Sequence, residues 1–488
     1  MSNAIAKKGY TPAQTANILI TLALMFGFGY LPPVAGITPI GMKLLGVFLG
    51  VVYGYTACGV IWPSLMGMMA YGITGYTTMG AAITAMMGHN VVFQCICGFI
   101  TAGALNTYGF GKWFVRWSLS LKLFKGKPMR YVWCFFVFFG LSCFFVNMIV
   151  LQIILYGVWN DIAENCGYEK GSTFHYYGFT GIVTATILGG SMCAKGSWAL
   201  GLCQNWAALT GGIHNMGEML IIMIPITVII LTAYTFAAKI VFKVDVSKLQ
   251  AYDPDKLGEE AKVMRPRCKR VLIVYLTSTL LIVLGSSFAK TAFGAFMNNT
   301  LTTAGATCIA AALLMIIPSG EGDGEPAIRF NEVKNTAISW EVILMCACTI
   351  TLAGAVTADV TGIVPLMQTV FGPVLGGKGP VAIIALTVIM ATVLTNVGSN
   401  IAFGAALIPI IAPFVMETGM HPQLCAYILT YTVNLGLVLP GASAPASIYH
   451  GQASLPSAGK RYTYTMFSCL VFAICAIPYF AGVVAIIG

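Results

Sequence analysis

The fold is decided by two stretches, Phe144-Phe145-Val146-Asn147-Met148 in the first half and Val397-Gly398-Ser399-Asn400-Ile401 in the second. Each stretch places an asparagine in the middle of a long apolar run. Aligning Asn147 with Asn400 also places Glu164 on Glu417, so the surrounding regions look like copies of one another. A polar break inside an apolar run costs free energy in a bilayer unless the break lines a cavity. Two such breaks, one in each half, indicate the central site of a secondary transporter built from inverted repeats.

The composition is that of a polytopic membrane protein. Of the 488 residues, 58% are hydrophobic and 9% are charged, and the mean hydropathy is +0.84. Soluble domains carry roughly 25% charged residues, so a water-soluble fold is excluded. The first apolar segment, residues 17–30, has no small-residue cleavage site after it, and we interpret it as a retained span.

The net charge of +10 does not indicate a nucleic-acid partner, because the basic residues cluster beside apolar spans. They fall in three places, at 7–8, 112–130 and 239–270. The positive-inside rule predicts such clusters for cytoplasmic loops. Alternation of the spans then predicts a multi-pass protein of the plasma membrane or cell inner membrane, with a cytoplasmic amino terminus and an external carboxyl terminus.

The hydropathy pattern predicts an all-α polytopic membrane protein with about 11 transmembrane helices and two re-entrant hairpins in inverted repeats. Simple spanning through both broken runs would place two basic loops outside, so hairpins of opposite orientation are the more economical arrangement. The predicted units are N-terminal scaffold spans at 1–73, a first repeat at 74–243, a cytoplasmic linker at 244–269 and a second repeat at 270–488. The first repeat holds a hairpin at 129–163 and a broken helix at 174–207, and the second holds a hairpin at 380–416 and a broken helix at 423–450.

Each hairpin is followed by a span that contains its own break. The two breaks read Gly189-Gly190-Ser191-Met192-Cys193-Ala194-Lys195-Gly196-Ser197 and Pro440-Gly441-Ala442-Ser443-Ala444-Pro445. Glycine and proline interrupt helices, and the freed N–H groups attract anions while the freed C=O groups attract cations. Two hairpin tips and two unwound segments therefore predict a site for a small anion with cations beside it.

These patterns resemble the divalent anion/sodium symporter family, the dicarboxylate, citrate and sulfate carriers of the ion transporter superfamily. The resemblance runs from about residue 41 to the end of the chain. In the second half, Thr395, Ser399 and Asn400 match the family's Ser-Asn-Thr tip, with Ile401 in place of the threonine, and Ser443-Ala444-Pro445-Ala446 stands where Thr-Pro-Pro-Asn is expected. The first half departs further: Ser142 and Asn147 match, Val146 and Met148 replace the flanking serine and threonine, and Gly196-Ser197-Trp198 replaces Gly-Thr-Pro.

The resemblance implies two sodium sites and a substrate site between them. It assigns Thr395, Ser399, Asn400 and Ala442 to the second cation site, and Ser142, Val146, Asn147, Gly190 and Gly196 to the first. It assigns Asn147, Met148, Ser197, Asn400, Ile401, Ser443 and Pro445 to the substrate site. Because Val146 removes a ligand hydroxyl, the resemblance supports sodium at the second site more strongly than at the first.

Lys195 is the most informative departure from the family pattern. An ionisable group at the depth of a broken helix is a candidate functional group. Its ammonium group can stand in for the first sodium as a cation substitute, which would favour exchange or proton coupling. The alternative is a break nearer one surface, from which the side chain reaches water.

We therefore predict a sodium-coupled secondary transporter of small organic anions, of the di- or tricarboxylate class. It would work by alternating access with an elevator-like transport unit, and family members are homodimers. The alternatives are a carboxylate exchanger or proton-coupled carrier, a sodium/proton antiporter or arsenite-type permease of the same superfamily, and an anion channel. An antiporter would need a carboxylate near the tips, where Asp359 is the nearest option. An enzyme is not predicted, because no nucleophile and base are paired in the sequence.

Overall fold

The protein is all-helical in the computed structural model. The residues that the structure describes are 10–33, 36–110, 113, 114, 117, 127–145, 148–194, 198–212, 214–251, 263–288, 291–335, 338, 340–356, 358–397, 400–440 and 442–487. Apart from one isolated bridge between Pro318 and Pro326, this part of the chain contains no β-structure. The all-α membrane fold predicted from hydropathy is confirmed, and the number of about 11 transmembrane helices stays a prediction.

Helices of the first half precede the cytoplasmic linker predicted at 244–269. They are α1 (Pro12–Leu22), α2 (Pro39–Ala57), α3 (Ile61–Ile73), α4 (Met79–Met87), α5 (Asn90–Thr107), α6 (Pro128–Ser142), α7 (Met148–Asn165), α8 (Thr173–Ser191), α9 (Trp198–Thr210) and α10 (Met216–Val241).

Helices of the second half repeat the same sequence of long, paired and interrupted elements. They are α11 (Pro266–Ser287), α12 (Ala292–Ala295), α13 (Thr302–Ile316), α14 (Phe330–Val333), α15 (Trp340–Val356), α16 (Ile363–Leu375), α17 (Pro380–Val397), α18 (Asn400–Glu417), α19 (Pro422–Val433), α20 (Ala444–His450) and α21 (Ala458–Ile487).

Six described helical segments are long and apolar enough to cross a bilayer. The number rises to seven if Thr369–Leu375 and Pro380–Asn396, which meet at a bend of 111°, form one broken span. Several further apolar helices are too short to cross alone, including Pro128–Ser142 and Phe403–Glu417. Pro128–Ser142 and Phe403–Glu417 fall in the two predicted hairpins, where segments that turn back inside the protein are expected to be short.

The first arms of the two broken helices, α8 and α19, are buried on all sides. In α8, every residue from 174 to 189 is buried, and in the second half every residue from 423 to 437 is buried. A helix that is apolar around its whole circumference belongs at the centre of a bundle. In the first half α6, α7 and α10 pack on α8, and in the second half α17 and α18 pack on α19.

In the first predicted hairpin the chain turns back on itself, because residues at equal sequence distances on either side of the tip contact each other. The ring of Trp159 in α7 lies 5.3 Å from that of Phe135 and 5.8 Å from that of Phe136 in α6. Both arms pack against α8. In the second half, α17 packs directly against α18, and both arms pack against α19. We name these pairs the first hairpin (α6 and α7) and the second hairpin (α17 and α18).

The two halves exchange equivalent contacts. Helix α9 of the first half packs on α18 and α19, and helix α20 of the second half packs on α7 and α8. The predicted boundaries of the two repeats, of the linker and of the scaffold stay predictions.

The broken helices are antiparallel. At one end of the bundle, Thr180 in α8 shares a 2.8 Å hydrogen bond with the hydroxyl of Tyr449 in α20. At the other end, the N–H of Asn215, just before α10, donates to the hydroxyl of Tyr427 in α19 at 2.9 Å. The start of α8 therefore lies beside the end of α20, as an inverted repeat requires.

Candidate functional site

Asn396 ties the second hairpin to the unwound residues 434–440, which follow α19. Its Nδ2 donates to the carbonyl oxygen of Leu435 at 2.9 Å, and its Oδ1 accepts from the N–H groups of Leu437 and Val438 at 2.8 Å each. Unwinding α19 leaves these backbone groups without helical partners, and a buried group without a partner is costly. Asn396 supplies those partners and so holds the break open.

Oxygen atoms from two elements surround a point beside Gly436. A Cβ atom added to Gly436 would lie 3.1 Å from the carbonyl oxygens of both Thr395 and Ala442, and 3.2 Å from Thr395 Oγ1. The hydroxyl of Thr395 donates its hydrogen to the carbonyl oxygen of Val433 at 2.5 Å. The lone pairs of Thr395 Oγ1 therefore stay available. Carbonyl and hydroxyl oxygens are the ligands that hard cations prefer, so this donor set suits sodium.

The tip of the second hairpin is attached to both breaks. The N–H of Asn400 donates to the carbonyl oxygen of Ala442 at 3.1 Å. The side-chain Nδ2 of Asn400 donates to Oδ1 of Asn434 at 3.3 Å. Asn434 in turn donates to the carbonyl oxygen of Ile187, at 3.2 Å, and to the hydroxyl of Ser191 at the end of α8. The structure thus brings together Thr395, Asn400 and Ala442, as the resemblance implies.

The tip of the first hairpin contacts the first break through small residues. A Cβ atom added to Gly190 would lie 2.6 Å from the sulfur of Met148, so only glycine admits that side chain there. At the preceding residue, a Cβ atom on Gly189 would lie 1.8 Å from the carbonyl oxygen of Gly140. Ser142 is buried, and its hydroxyl donates within its own helix to Phe138 at 2.6 Å. The structure therefore places Met148 against Gly190 at this end.

The start of α20 joins the second break to the first hairpin. The hydroxyl of Ser443 donates to the carbonyl oxygen of Gly436 at 2.5 Å and accepts from the N–H of Ala446 at 3.1 Å. The carbonyl oxygen of Pro445 accepts from Nε2 of Gln152 in α7 at 2.9 Å. Ser443 and Pro445, both predicted substrate residues, thus lie between the second break and the first hairpin.

Several predicted site residues lie outside the described residues: Val146, Asn147, Lys195, Gly196, Ser197 and Ser399. The backbone of Ile401 is described at the start of α18, but its side chain is not. The roles assigned to all these residues stay predictions.

Sequence reasoning missed three residues of this network, Asn396, Asn434 and Gln152. Each is a buried amide inside an apolar run, which is the signal that selected Asn147 and Asn400. Asp359, the carboxylate considered for an antiporter, is exposed in the turn between α15 and α16. Within the described ranges, no three or more His, Cys, Asp and Glu side chains form a group that could hold a metal ion.

A model of the citrate transporter family matches residues 55–432, which is more than half of the chain. The chain belongs to the citrate transporter family. Among curated proteins, it is similar to the sodium-dependent dicarboxylate transporter SdcS of Staphylococcus saprophyticus. The two are 22% identical over 397 residues, which cover 78% of this chain and 74% of the relative.

Two solved membrane transporters share the fold. The YdaH transporter of Alcanivorax borkumensis aligns with a TM-score of 0.55 and 14% identity, over 98% of this chain and 99% of that one. MtrF of Neisseria gonorrhoeae, described as an antimetabolite efflux pump, aligns with a TM-score of 0.55 and 15% identity, over 98% of this chain and 96% of that one. This member of the citrate transporter family is therefore a multi-pass membrane transporter and not an enzyme.

Proposed function

We propose that the protein is a sodium-coupled secondary transporter of small organic anions of the di- or tricarboxylate class. The observation that carries this proposal is the network through which Asn400, at the tip of the second hairpin, contacts both broken helices. Buried unwound backbone is tolerated at membrane depth where it lines a binding cavity. The sodium dependence of the dicarboxylate transporter from Staphylococcus saprophyticus supports the same class for this chain.

Sodium would bind at the oxygen cluster of the second tip. Thr395 and Ala442 would supply carbonyl oxygens, and Ser399 and Asn400 would supply side-chain oxygens. At the first tip, Ser142, Val146, Asn147, Gly190 and Gly196 would form the equivalent site. Val146 offers only its main-chain oxygen there, so the ammonium group of Lys195 would replace the sodium at this site.

The anion would lie between the two tips, against Asn147, Ser197, Asn400, Ser443 and Pro445. The apolar residues Met148 and Ile401 stand where the family has threonines. They favour a substrate with fewer charges than citrate, or one with an apolar substituent. With such a substrate, Met148 and Ile401 would contact apolar atoms, and neither side chain would bury a carboxylate that it cannot hydrogen-bond.

Transport would proceed by movement of the hairpins and broken helices as a unit against the remaining helices. The first spans would supply the surface of a homodimer. The contacts between α9 and the second hairpin, and between α20 and the first hairpin, support a unit that moves as one body.

The decisive experiment is uptake of labelled carboxylates into proteoliposomes with and without a sodium gradient. We expect sodium-stimulated uptake of at least one carboxylate, and trans-acceleration by internal substrate, which separates a carrier from a channel. Binding of sulfate or phosphate alone would exclude the carboxylate class. If Lys195→Ala retains sodium-dependent uptake of unchanged stoichiometry, Lys195 does not replace a sodium.

A further inference from the structure

Asn434 joins the two halves of the protein at a buried position. It lies directly after α19 and is 3% exposed. Its Nδ2 donates to the carbonyl oxygen of Ile187 at 3.2 Å and to the hydroxyl of Ser191, both in α8. Its Oδ1 accepts from Nδ2 of Asn400 at 3.3 Å. One amide group thus connects the first broken helix with the tip of the second hairpin.

The first broken helix fixes the orientation of this amide. The carbonyl oxygen of Ile187 can only accept a hydrogen bond. The hydroxyl of Ser191 already donates its single hydrogen to that carbonyl, at 2.6 Å, so its oxygen can only accept as well. Two acceptors therefore face Asn434 from α8. Nδ2 must point toward them, and Oδ1 must point away from them.

The orientation of the Asn434 amide also fixes the orientation of the Asn400 amide. Because Asn434 presents Oδ1, Asn400 must present Nδ2 to it, and the Oδ1 of Asn400 is the end of the amide left for a ligand. The main-chain N–H of Asn400 donates to Ala442, whose carbonyl oxygen also lies beside Gly436. An amide oxygen attracts a cation, whereas an amide N–H repels it.

We propose that Asn434 is a positioning residue that turns the side-chain oxygen of Asn400 toward the coupling cation of the second tip. Its own orientation is set by Ile187 and Ser191 of the first half. This inference rests on the proposed sodium coupling. It makes the cation affinity of the second half depend on a helix of the first half, with no direct contact between that helix and the cation.

The test is sodium-dependent thermal stabilisation of the purified full-length protein in detergent, with potassium chloride at equal ionic strength as the reference. A ligand that binds the folded state raises Tm as its concentration passes Kd. We expect Asn434→Leu, which has a similar side-chain volume, to raise the half-saturating sodium concentration about tenfold, because the Asn400 amide is then free to turn. Ser191→Ala leaves the carbonyl of Ile187 in place and should change that concentration by less than about threefold.

Thr432→Val is the matched control. Thr432 is buried two residues before Asn434, and its hydroxyl has no hydrogen-bond partner among the described residues. A merely structural role for Asn434 would lower Tm without sodium and leave the half-saturating concentration unchanged, which would overturn the inference alone. Absence of any sodium effect on the wild-type protein would overturn the proposed sodium coupling and this inference with it. If Asn434→Leu does not fold, Asn434→Ala is judged by the same criterion.

Discussion

Gly436 lies where a side chain would meet the oxygen atoms of the second tip. A methyl group there would lie 3.1 Å from the carbonyl oxygens of Thr395 and Ala442, which is closer than ordinary van der Waals contact. Either the methyl group occupies the place of a cation, or the two carbonyls move apart. In both cases the oxygen cluster loses its shape.

We therefore predict that Gly436→Ala weakens sodium binding by about 1–3 kcal/mol, the usual cost of overpacking a well-packed site. The measurement is the half-saturating sodium concentration for thermal stabilisation, and for uptake once a substrate is known. Gly482→Ala in α21 is the control, because a methyl group there meets open space. An unchanged sodium affinity in Gly436→Ala would show that the cation does not bind at this cluster.

At the second tip, sequence analysis predicted Thr395, Asn400 and Ala442. It missed Asn434 and Asn396 for a physical reason. The family resemblance assigned Thr395, Asn400 and Ala442 to this tip, and Asn400 and Ala442 also lie in breaks that interrupt an apolar run. Asn434 contacts Ser191 across 243 residues of sequence, and Asn396 reaches the segment after α19 across about 40 residues. Which buried amides meet is decided by tertiary packing, and hydropathy carries no information about it.

The connection between α9 and α10 contains His214, whose two ring nitrogens are buried. The ring of His214 lies 5.6 Å from that of Tyr427, with Glu218 and His421 at the same end of the bundle. Burial lowers the pKa of His214 from 6.5 to about 4. The folded protein therefore keeps this ring neutral under conditions where an unfolded chain would protonate it.

The sign of the effect on stability follows from proton binding. Between pH 6.5 and 4 the unfolded chain binds a proton at this histidine that the folded chain does not. The depressed pKa of His214 therefore has no effect on stability above pH 6.5 and lowers stability as the pH falls from 6.5 toward 4. We predict that Tm falls over this interval and that His214→Phe reduces the fall. Equal slopes for wild type and His214→Phe would contradict the assignment.

The loop between α13 and α14 is held to the start of α11 by charged side chains. The guanidinium of Arg267 is 7% exposed and pairs with Asp323, while Arg329 pairs with Glu332 at 3.0 Å. A hydrogen bond from Ser319 and the nearby Arg267 lower the pKa of Asp323. Loss of one partner of a buried charge is more costly than loss of an exposed pair.

We accordingly predict that Asp323→Asn lowers Tm at neutral pH more than Glu325→Gln, whose carboxylate is 46% exposed. Because the pKa of Asp323 is depressed, its contribution is present above the ordinary carboxyl pKa and is lost as the pH falls below it. The difference in Tm between wild type and Asp323→Asn should therefore shrink in acid. A larger loss in Glu325→Gln at neutral pH would contradict this ranking.

The inverted arrangement of the two halves follows from patterns that are visible in the sequence. Basic loops and paired breaks predict hairpins of opposite orientation, and the contacts of Thr180 with Tyr449 and of Asn215 with Tyr427 place the broken helices antiparallel. The length of each helix was harder to predict from the sequence, because short apolar hairpin arms and full transmembrane spans have the same composition. Only packing distinguishes an arm that turns back at its tip, as Trp159 against Phe135 shows for the first hairpin.

The antiparallel arrangement yields a prediction about the two faces of the membrane. The loop that follows the first hairpin contains Lys170, and the loop that follows the second contains His421; both side chains are exposed. Because the hairpins are related by inversion, these loops must lie on opposite faces. Basic residues cluster near the first hairpin, so the positive-inside rule predicts that Lys170 lies in the cytoplasm.

We expect His421→Cys to react with a membrane-impermeant maleimide in intact cells, and Lys170→Cys to react only after permeabilisation. The wild-type protein measures the background, since each of its 15 cysteines is buried or half-buried. Labelling of both positions from the same face would contradict the inverted repeat. Labelling of Lys170→Cys from outside and of His421→Cys from inside would still agree with an inverted repeat. It would contradict the cytoplasmic location predicted for the basic loops.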